Sequence, residues 1–163
     1  MRAYVGVGSN LGSPATHVRE ALTRLAGLPG VSGMRASSLY DADAVADYEQ
    51  PPYVNAVAEV ETDLGPQELL RALEGIQRGM GQVVHPAGAP RIIDLDLLLC
   101  GDVVVDEPEC TVPHPRMHKR AFVLVPLCEL APEVAHPVKR RTARALLDAL
   151  TEPSRVRPRP EGD

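Results

Sequence analysis

The chain has no tryptophan, four tyrosines and a single phenylalanine. Any flat ring that this protein stacks must therefore meet Tyr4, Tyr40, Tyr48, Tyr53 or Phe122. Only three cysteines occur, Cys100, Cys110 and Cys128, with no close pair and no zinc-like spacing. That argues against a disulfide scaffold and suits reduced thiols in a cytoplasmic protein. No apolar run approaches membrane-spanning length, and Met1 leads almost directly into a strand-like segment, so neither a membrane span nor a signal peptide is expected. The formal net charge of −5 argues against a broad nucleic-acid surface, and it makes any local cluster of cations more informative.

The two common phosphate loops are missing as well. GVGSNLG, residues 6–12, offers Gly6 and Gly8, but Leu11 stands where a dinucleotide fingerprint needs its third glycine, and Gly12 is one place late. A P-loop needs a terminal Gly-Lys-Ser/Thr, and residues 6–16 contain no lysine. If a nucleotide binds, its phosphates are held elsewhere. The glycines are better read as letting a first strand turn through Ser9 and Asn10 into the first helix.

What is present reads as one domain over 1–150 with a polar, proline-rich tail, 151–163, expected to be loosely held. There is no internal repeat. Residues 2–8 alternate, with Ala3, Val5 and Val7 on one face and Tyr4 opposite. Ser13-Pro14 opens a helix whose stripe is Val18, Ala21, Leu22 and Leu25. Strands are expected at 33–40 and 53–62, a helix from Pro66 with Leu69, Leu70, Leu73 and Ile76 inward, and a strand at 91–99. Gly101-Asp102 reads as a hairpin turn into Val103–Val105, and further helices are expected at about 116–128 and 140–150. Strands that follow strands, with helices interspersed, favour an α+β fold with a largely antiparallel sheet. The run KRRTAR, 139–144, reads as the solvated face of the last helix, opposite Ala143, Leu146, Leu147 and Leu150.

PRIIDLDLLL, residues 90–99, carries the most chemistry. On a strand Asp94 and Asp96 share a face with Ile92 and Leu98, while Ile93, Leu95, Leu97 and Leu99 form the core face. On a helix one carboxylate would be forced into the apolar side. Two neighbouring carboxylates repel, and Mg²⁺, which takes one or two carboxylates plus substrate phosphates, relieves that repulsion. The alternative is a pair of edge aspartates satisfied by Arg91 and solvent. A second cluster, TVPHPRMHKRAF at 111–122, gathers His114, Arg116, His118, Lys119 and Arg120 in an acidic chain. Pro115 stands where a zinc-protease motif needs glutamate, so zinc is not expected. Cations beside a carboxylate-bound Mg²⁺ suit a polyphosphate, although a solvated basic helix start explains the run as well.

With VGSNLG, QPPYVNAVAEVET, PRIIDLDLLL and VPHPRMHKRAFVLVPLCELAPE in this order, the chain resembles the 6-hydroxymethyl-7,8-dihydropterin pyrophosphokinases over roughly residues 3–137. The resemblance implies a ferredoxin-like α+β fold, usually monomeric. It also implies transfer of the β,γ-diphosphate of ATP to the pterin hydroxymethyl oxygen, with release of AMP, in folate biosynthesis. Asp94 and Asp96 match the pair that binds two Mg²⁺. Arg91, Thr111, His114 and Arg120 match ATP contacts, and Glu74 and Gln77 fall loosely where adenine- and ribose-side contacts lie. Tyr53, Asn55 and Phe122 match the pterin pocket, to which Val45 adds apolar character.

Two loops depart from that pattern. Gln82 and Val84 stand where the family usually carries two arginines, in a loop shortened by one residue, and DADAVADYEQ, 41–50, replaces the usual pterin-lining residues. The departures admit a second reading, a catalytically weakened nucleotide- or pterin-binding protein on the same fold. A metal-dependent glycosyltransferase, which also uses Asp-x-Asp, would leave the His-Pro-Arg segment unexplained.

Overall fold

A computed structural model describes residues 1–43, 51–82, 90–151 and 155–160. Strand β1 (Arg2–Ser9) lies at the heart of the sheet, antiparallel to both β4 (Tyr53–Thr62) and β5 (Asp94–Cys100). On the far side of β4 lie β2 (Val31–Ala36) and β3 (Tyr40–Ala42), both antiparallel to it. The side chains of β1 sort as the alternation requires. Val5 and Val7 join Ala56, Ala58, Leu95 and Leu97 against helices α1 (Pro14–Ala26) and α2 (Pro66–Gly79). Tyr4 joins Val57 and Leu98 on the opposite face, beneath α3 (Ala121–Leu130) and α4 (Ala143–Asp148). The expected α+β architecture, an antiparallel sheet flanked by helices, is what forms.

The differences from the sequence expectation each have an identifiable cause. The strand expected over 33–40 is two strands, because Ser37 interrupts the ladder. Its N–H donates to the Val57 carbonyl at 2.8 Å while its hydroxyl accepts from Val57 N–H at 3.0 Å. Strand β5 starts at Asp94 rather than 91, since the preceding N–H groups are taken by side chains. Asn10 Oδ1 accepts from Arg91 at 2.7 Å, and Gln82 Oε1 accepts from Ile92 and Ile93 at 3.0 and 3.1 Å.

A bulge between β1 and β5 sets Val5 opposite Leu97 but Tyr4 opposite Leu99, leaving Leu98 as the extra residue. Leu99 therefore packs with Tyr4, not with Leu97 as strict alternation requires. Gly101 turns at a φ of 54°, yet the chain does not fold back along β5. Instead β6 (Val105–Glu107) pairs with β7 (Cys110–Val112). The helix expected from 116 is a short 3₁₀ turn, Met117–Lys119, followed by α3, because Arg120 between them is extended (φ −112°, ψ 105°). The last helix starts at Ala143 rather than 140. A small hairpin of β8 (Ala135–His136) and β9 (Arg141–Thr142), turning at Arg140 with φ 58°, occupies the preceding residues. Thr142 Oγ1 then caps the helix, accepting from Ala145 N–H at 3.1 Å.

The expectation of a loosely held tail fails over its described part. β10 (Val156–Pro158) pairs antiparallel with β3, so the sheet runs β10-β3-β4-β1-β5 with β2 also on β4. Arg159 fastens the strand end, donating to Asp41 Oδ1 at 2.7 Å. Periodicity could not reveal this contact, because a three-residue strand carries no repeat and its partner lies more than a hundred residues away.

Candidate active site

The site grows from the face of the sheet that α3 covers. Register sets Asn55, Gly8 and Asp94 in one row across β4, β1 and β5, and Val57, Gly6 and Asp96 in the next. Both glycines fall where β1 would otherwise raise a side chain between the carboxylates and β4. A Cβ on Gly8 would lie 2.7 Å from Asn55 Oδ1, well inside contact distance. The bare strand becomes the floor of a cleft of about 790 Å³. Asp94 and Asp96 stand on one side of it, Tyr53 and Asn55 on the other, and Arg120 and Phe122 enter from the start of α3. The Arg120 guanidinium sits 5.4 Å from the Phe122 ring centroid, so a cation and the only phenylalanine ring share one place.

Arg91 reaches the same cleft because its backbone is clamped. Asn10, 1 % exposed, accepts from Arg91 N–H and donates its own N–H to the Arg91 carbonyl at 3.0 Å. Its amide Nδ2 also donates to the Pro51 carbonyl at 3.2 Å. The Ser9-Asn10 turn thus ties together the two chain segments that border the site.

The electrostatics are those of a polyanion site. Among the described lining residues, the cations Arg91, Arg116, Lys119, Arg120 and Arg155 face the carboxylates Asp43, Asp94 and Asp96, in a chain whose net charge is −5. Burial, and then the neighbouring Asp96 charge, push the Asp94 carboxyl up to about 6, against the opposing pull of Arg91 and Arg120. His114 is held below the ordinary imidazole range, first by burial and also by Arg120 and Arg116, although Asp96 opposes this. Its Nδ1 accepts from Arg116 N–H at 3.1 Å, which leaves the Nε2 proton as its donor. Asn55 is 5 % exposed, and its amide Nδ2 is buried with no hydrogen-bond partner among the described residues. A buried unpaired donor is costly, and an acceptor on a bound ligand would satisfy it.

The carboxylate pair fits a hard divalent cation. Both aspartates present oxygen ligands from one face, and burial together with their mutual repulsion raises Asp94. Among the described residues no group of three or more His, Cys, Asp or Glu surrounds a point. A two-carboxylate site of this kind suits Mg²⁺, which completes its shell with water and phosphate oxygens, better than Zn²⁺.

Seven of the residues singled out from sequence therefore meet in one cleft: Tyr53, Asn55, Arg91, Asp94, Asp96, Arg120 and Phe122. Four others do not line it. His114 is tied to β5, its backbone N–H donating to the Leu98 carbonyl at 2.9 Å. Thr111 is exposed on β7, its hydroxyl donating to the Glu107 carbonyl at 3.1 Å. Glu74 is exposed on α2, and the Gln77 amide oxygen accepts from Leu95 N–H at 2.7 Å. Val45, Val84 and His85 lie outside the described residues.

Gln82, which stands where the family usually carries an arginine, is buried. It is 8 % exposed, and its amide oxygen holds the backbone that leads into β5. Gln82→Ala would leave the N–H groups of Ile92 and Ile93 unpaired, and is expected to cost about 2 kcal/mol of stability in urea denaturation. Gln82→Arg is expected to lose similar stability without raising kcat.

Sequence reasoning passed over Arg116 and Lys119 as individual lining residues, although it noted their cluster. Arg155 it missed altogether.

The chain matches the family described as 7,8-dihydro-6-hydroxymethylpterin-pyrophosphokinase (HPPK) over residues 4–132. It is 41% identical over 145 residues to the 2-amino-4-hydroxy-6-hydroxymethyldihydropteridine pyrophosphokinase of Pseudomonas aeruginosa, covering 89% of this chain and 90% of that one. With the protein of the same name from Haemophilus influenzae it shares 38% identity over 135 residues, 83% of this chain and 84% of the relative. The solved structure of wild-type Plasmodium falciparum HPPK-DHPS superposes with a TM-score of 0.71 at 16% identity, a likeness of fold. That comparison covers 90% of this chain and 44% of the longer one. On the family match and these identities, the chain belongs to the 7,8-dihydro-6-hydroxymethylpterin-pyrophosphokinase family.

Proposed function

We propose that the chain transfers the β,γ-diphosphate of ATP to the hydroxymethyl oxygen of 6-hydroxymethyl-7,8-dihydropterin, releasing AMP, and that the cleft over Gly6 and Gly8 is where this happens. One observation carries the reading: paired carboxylates on β5 stand across a glycine floor from a buried, unpaired amide donor on β4. One side suits a metal–polyphosphate, the other a flat ring with hydrogen-bonding edges. An enzyme that joins those two substrates needs both, a single strand apart.

Asp94 and Asp96 would hold Mg²⁺, two ions in this reading, which would supply charge neutralisation on the triphosphate oxygens. Tyr53 and Phe122 flank the pterin, and the Asn55 amide pairs with its polar edge. Arg120, beside the Phe122 ring, and Arg91, fixed by Asn10, neutralise charge as the hydroxymethyl oxygen attacks the β-phosphorus and the bond to the α-phosphate oxygen breaks. Catalysis is then positioning and electrostatics, with no covalent intermediate on the protein. His114 is close enough to feel the Asp96 charge, which opposes the lowering of its imidazole by burial. Among the described residues no helix is long and apolar enough to cross a membrane, and the three cysteines are unpaired. In this reading the chain acts as a cytoplasmic monomer on small-molecule substrates.

The second reading, a binding protein that has lost turnover, gains no support from the cleft, because the carboxylate pair, Arg91 and Arg120 all line it. The test is release of AMP from ATP, Mg²⁺ and the hydroxymethyl dihydropterin by the purified chain. Pterin-dependent AMP release is the expected result. ATP and pterin binding measured by calorimetry, without AMP release, would leave the binding-protein reading standing instead.

A further inference from the structure

The family match ends at residue 132, yet the cleft has a wall from beyond it. Leu150, Thr151, Arg155 and Val156 all line the cavity. The last two stand at the head of β10, which antiparallel pairing lays along β3, with Val156 opposite Ala42 and Ala42 in turn opposite Tyr53. Two contacts from Arg159 hold the strand there besides its ladder. Arg159 N–H donates to the Leu39 carbonyl at 2.8 Å, and its guanidinium reaches Asp41 at 2.7 Å. Tyr40, within β3, donates its hydroxyl to Glu129 of α3 at 2.6 Å, so the strand that β10 grips is itself braced to the roof of the site.

We propose that β10 is a built wall of the acceptor-substrate end of the cleft, and that Arg155 is a specificity residue donating hydrogen bonds to the acceptor's flat heterocycle rather than to phosphate. This rests on the functional reading above. The sheet order places β10 and β5 at opposite ends of the path β10-β3-β4-β1-β5. Four interstrand steps of about 4.8 Å separate them by about 19 Å, further than an arginine side chain spans. The carboxylates on β5, proposed to hold the metal, are thus out of range, while Tyr53 is two strands from β10.

At that end the cleft offers Tyr53 and Phe122 to the faces of a ring and the Asn55 amide to one edge. A guanidinium, a fork of donors and never an acceptor, adds recognition of carbonyl and ring-nitrogen acceptors on another edge. Asp41 marks the same specialisation. As a sequence departure in the 41–50 segment it looks like a poor pterin contact, but its carboxylate is engaged with Arg159 and fastens the wall.

The experiment is a fluorescence titration of wild type, Arg155→Ala and Arg155→Lys with the hydroxymethyl dihydropterin, in Mg²⁺ and a saturating non-hydrolysable ATP analogue. Calorimetry of the analogue alone runs beside it. Because Arg155 is exposed, the substitutions are expected to leave the melting temperature unchanged. Arg155→Ala is expected to weaken pterin binding about tenfold, as loss of a charged hydrogen-bond donor does, and to leave affinity for the ATP analogue within twofold. Arg155→Lys, which keeps the charge but not the fork, is expected to recover only part of the loss. The inference is overturned if wild type binds pterin and Arg155→Ala binds it equally well, or if both ligands weaken by the same factor. Absence of pterin binding by wild type would instead overturn the functional reading on which the inference rests.

Discussion

Asp96→Ala and Asp94→Ala are each expected to lower kcat by about 10³ or more, while the protein stays folded. A drop of that size is about 4 kcal/mol of transition-state stabilisation, which is what losing one anchor of a charge-neutralising metal site removes. The fold is spared because neither carboxylate supports the core: both stand on the cleft face of β5, opposite Gly8 and Gly6. Asparagine at either position should lose nearly as much as alanine, since the neutral amide keeps shape but not charge. AMP release, with circular dichroism as the folding check, decides the matter. A variant retaining a tenth of wild-type turnover would remove the metal from the Asp94–Asp96 pair.

The same pair sets a pH dependence whose sign follows from its burial. The Asp94 carboxyl is raised from an ordinary 3.8 to about 6, so in the metal-free protein the folded state holds that proton more tightly than the unfolded chain does. Stability contributed by protonated Asp94 is therefore present at low pH, is lost as pH rises from about 4 to about 6, and stays lost above that. Asp94→Asn should melt higher than wild type at pH 7 to 8 without Mg²⁺, and the gap should close toward pH 4. Bound metal competes with the same proton. Apparent Mg²⁺ affinity should fall about tenfold per pH unit below about 6 and level off above it, measured as Mg²⁺ activation of AMP release.

The sequence and the structure agree where the physics is local. Asp94 and Asp96 two residues apart in an apolar run admit one sensible face, and the strand presents them so. The helices α1 and α2 were legible because each has a complete apolar stripe and a proline at its first turn. What sequence could not show depends on partners far along the chain. Leu99 changes face because a bulge opposite Tyr4 and Val5 adds a residue, and no pattern within 90–99 encodes it. Gln82 is recruited to cap two N–H groups ten and eleven residues onward. The C-terminal strand is specified by the open edge of β3 and by Asp41, not by its own composition. Glu59, a charge in the middle of β4, is stable there only because Tyr4 from the adjacent strand and Arg35 from β2 converge on it at 2.9–3.2 Å.

Gly8 is the residue at which these arguments meet, and Gly8→Ala is expected to raise the KM for the dihydropterin about thirtyfold with little change for ATP. A methyl at that position would lie 2.7 Å from Asn55 Oδ1 and 3.6 Å from Tyr53 Cδ1. The backbone on both sides is in an antiparallel ladder and cannot retreat, so the Asn55 side chain must swing away from the position proposed for the ring. Losing a well-aligned amide pair together with ring contact amounts to about 2 kcal/mol, hence the factor of thirty. Gly6→Ala is the contrasting case. Its added methyl would meet Leu98 methyls at 3.6 Å, an ordinary packing distance, so pterin affinity should change by less than threefold. The mechanism is separable by a double-mutant cycle. If Gly8→Ala acts by displacing Asn55, it should add little to Asn55→Ala, whereas full additivity would mean that the methyl occupies ligand space directly. No dependence of pterin KM on Gly8 would mean that the ring lies elsewhere than over β1. The glycines of GVGSNLG would then be conformational rather than part of the site's floor.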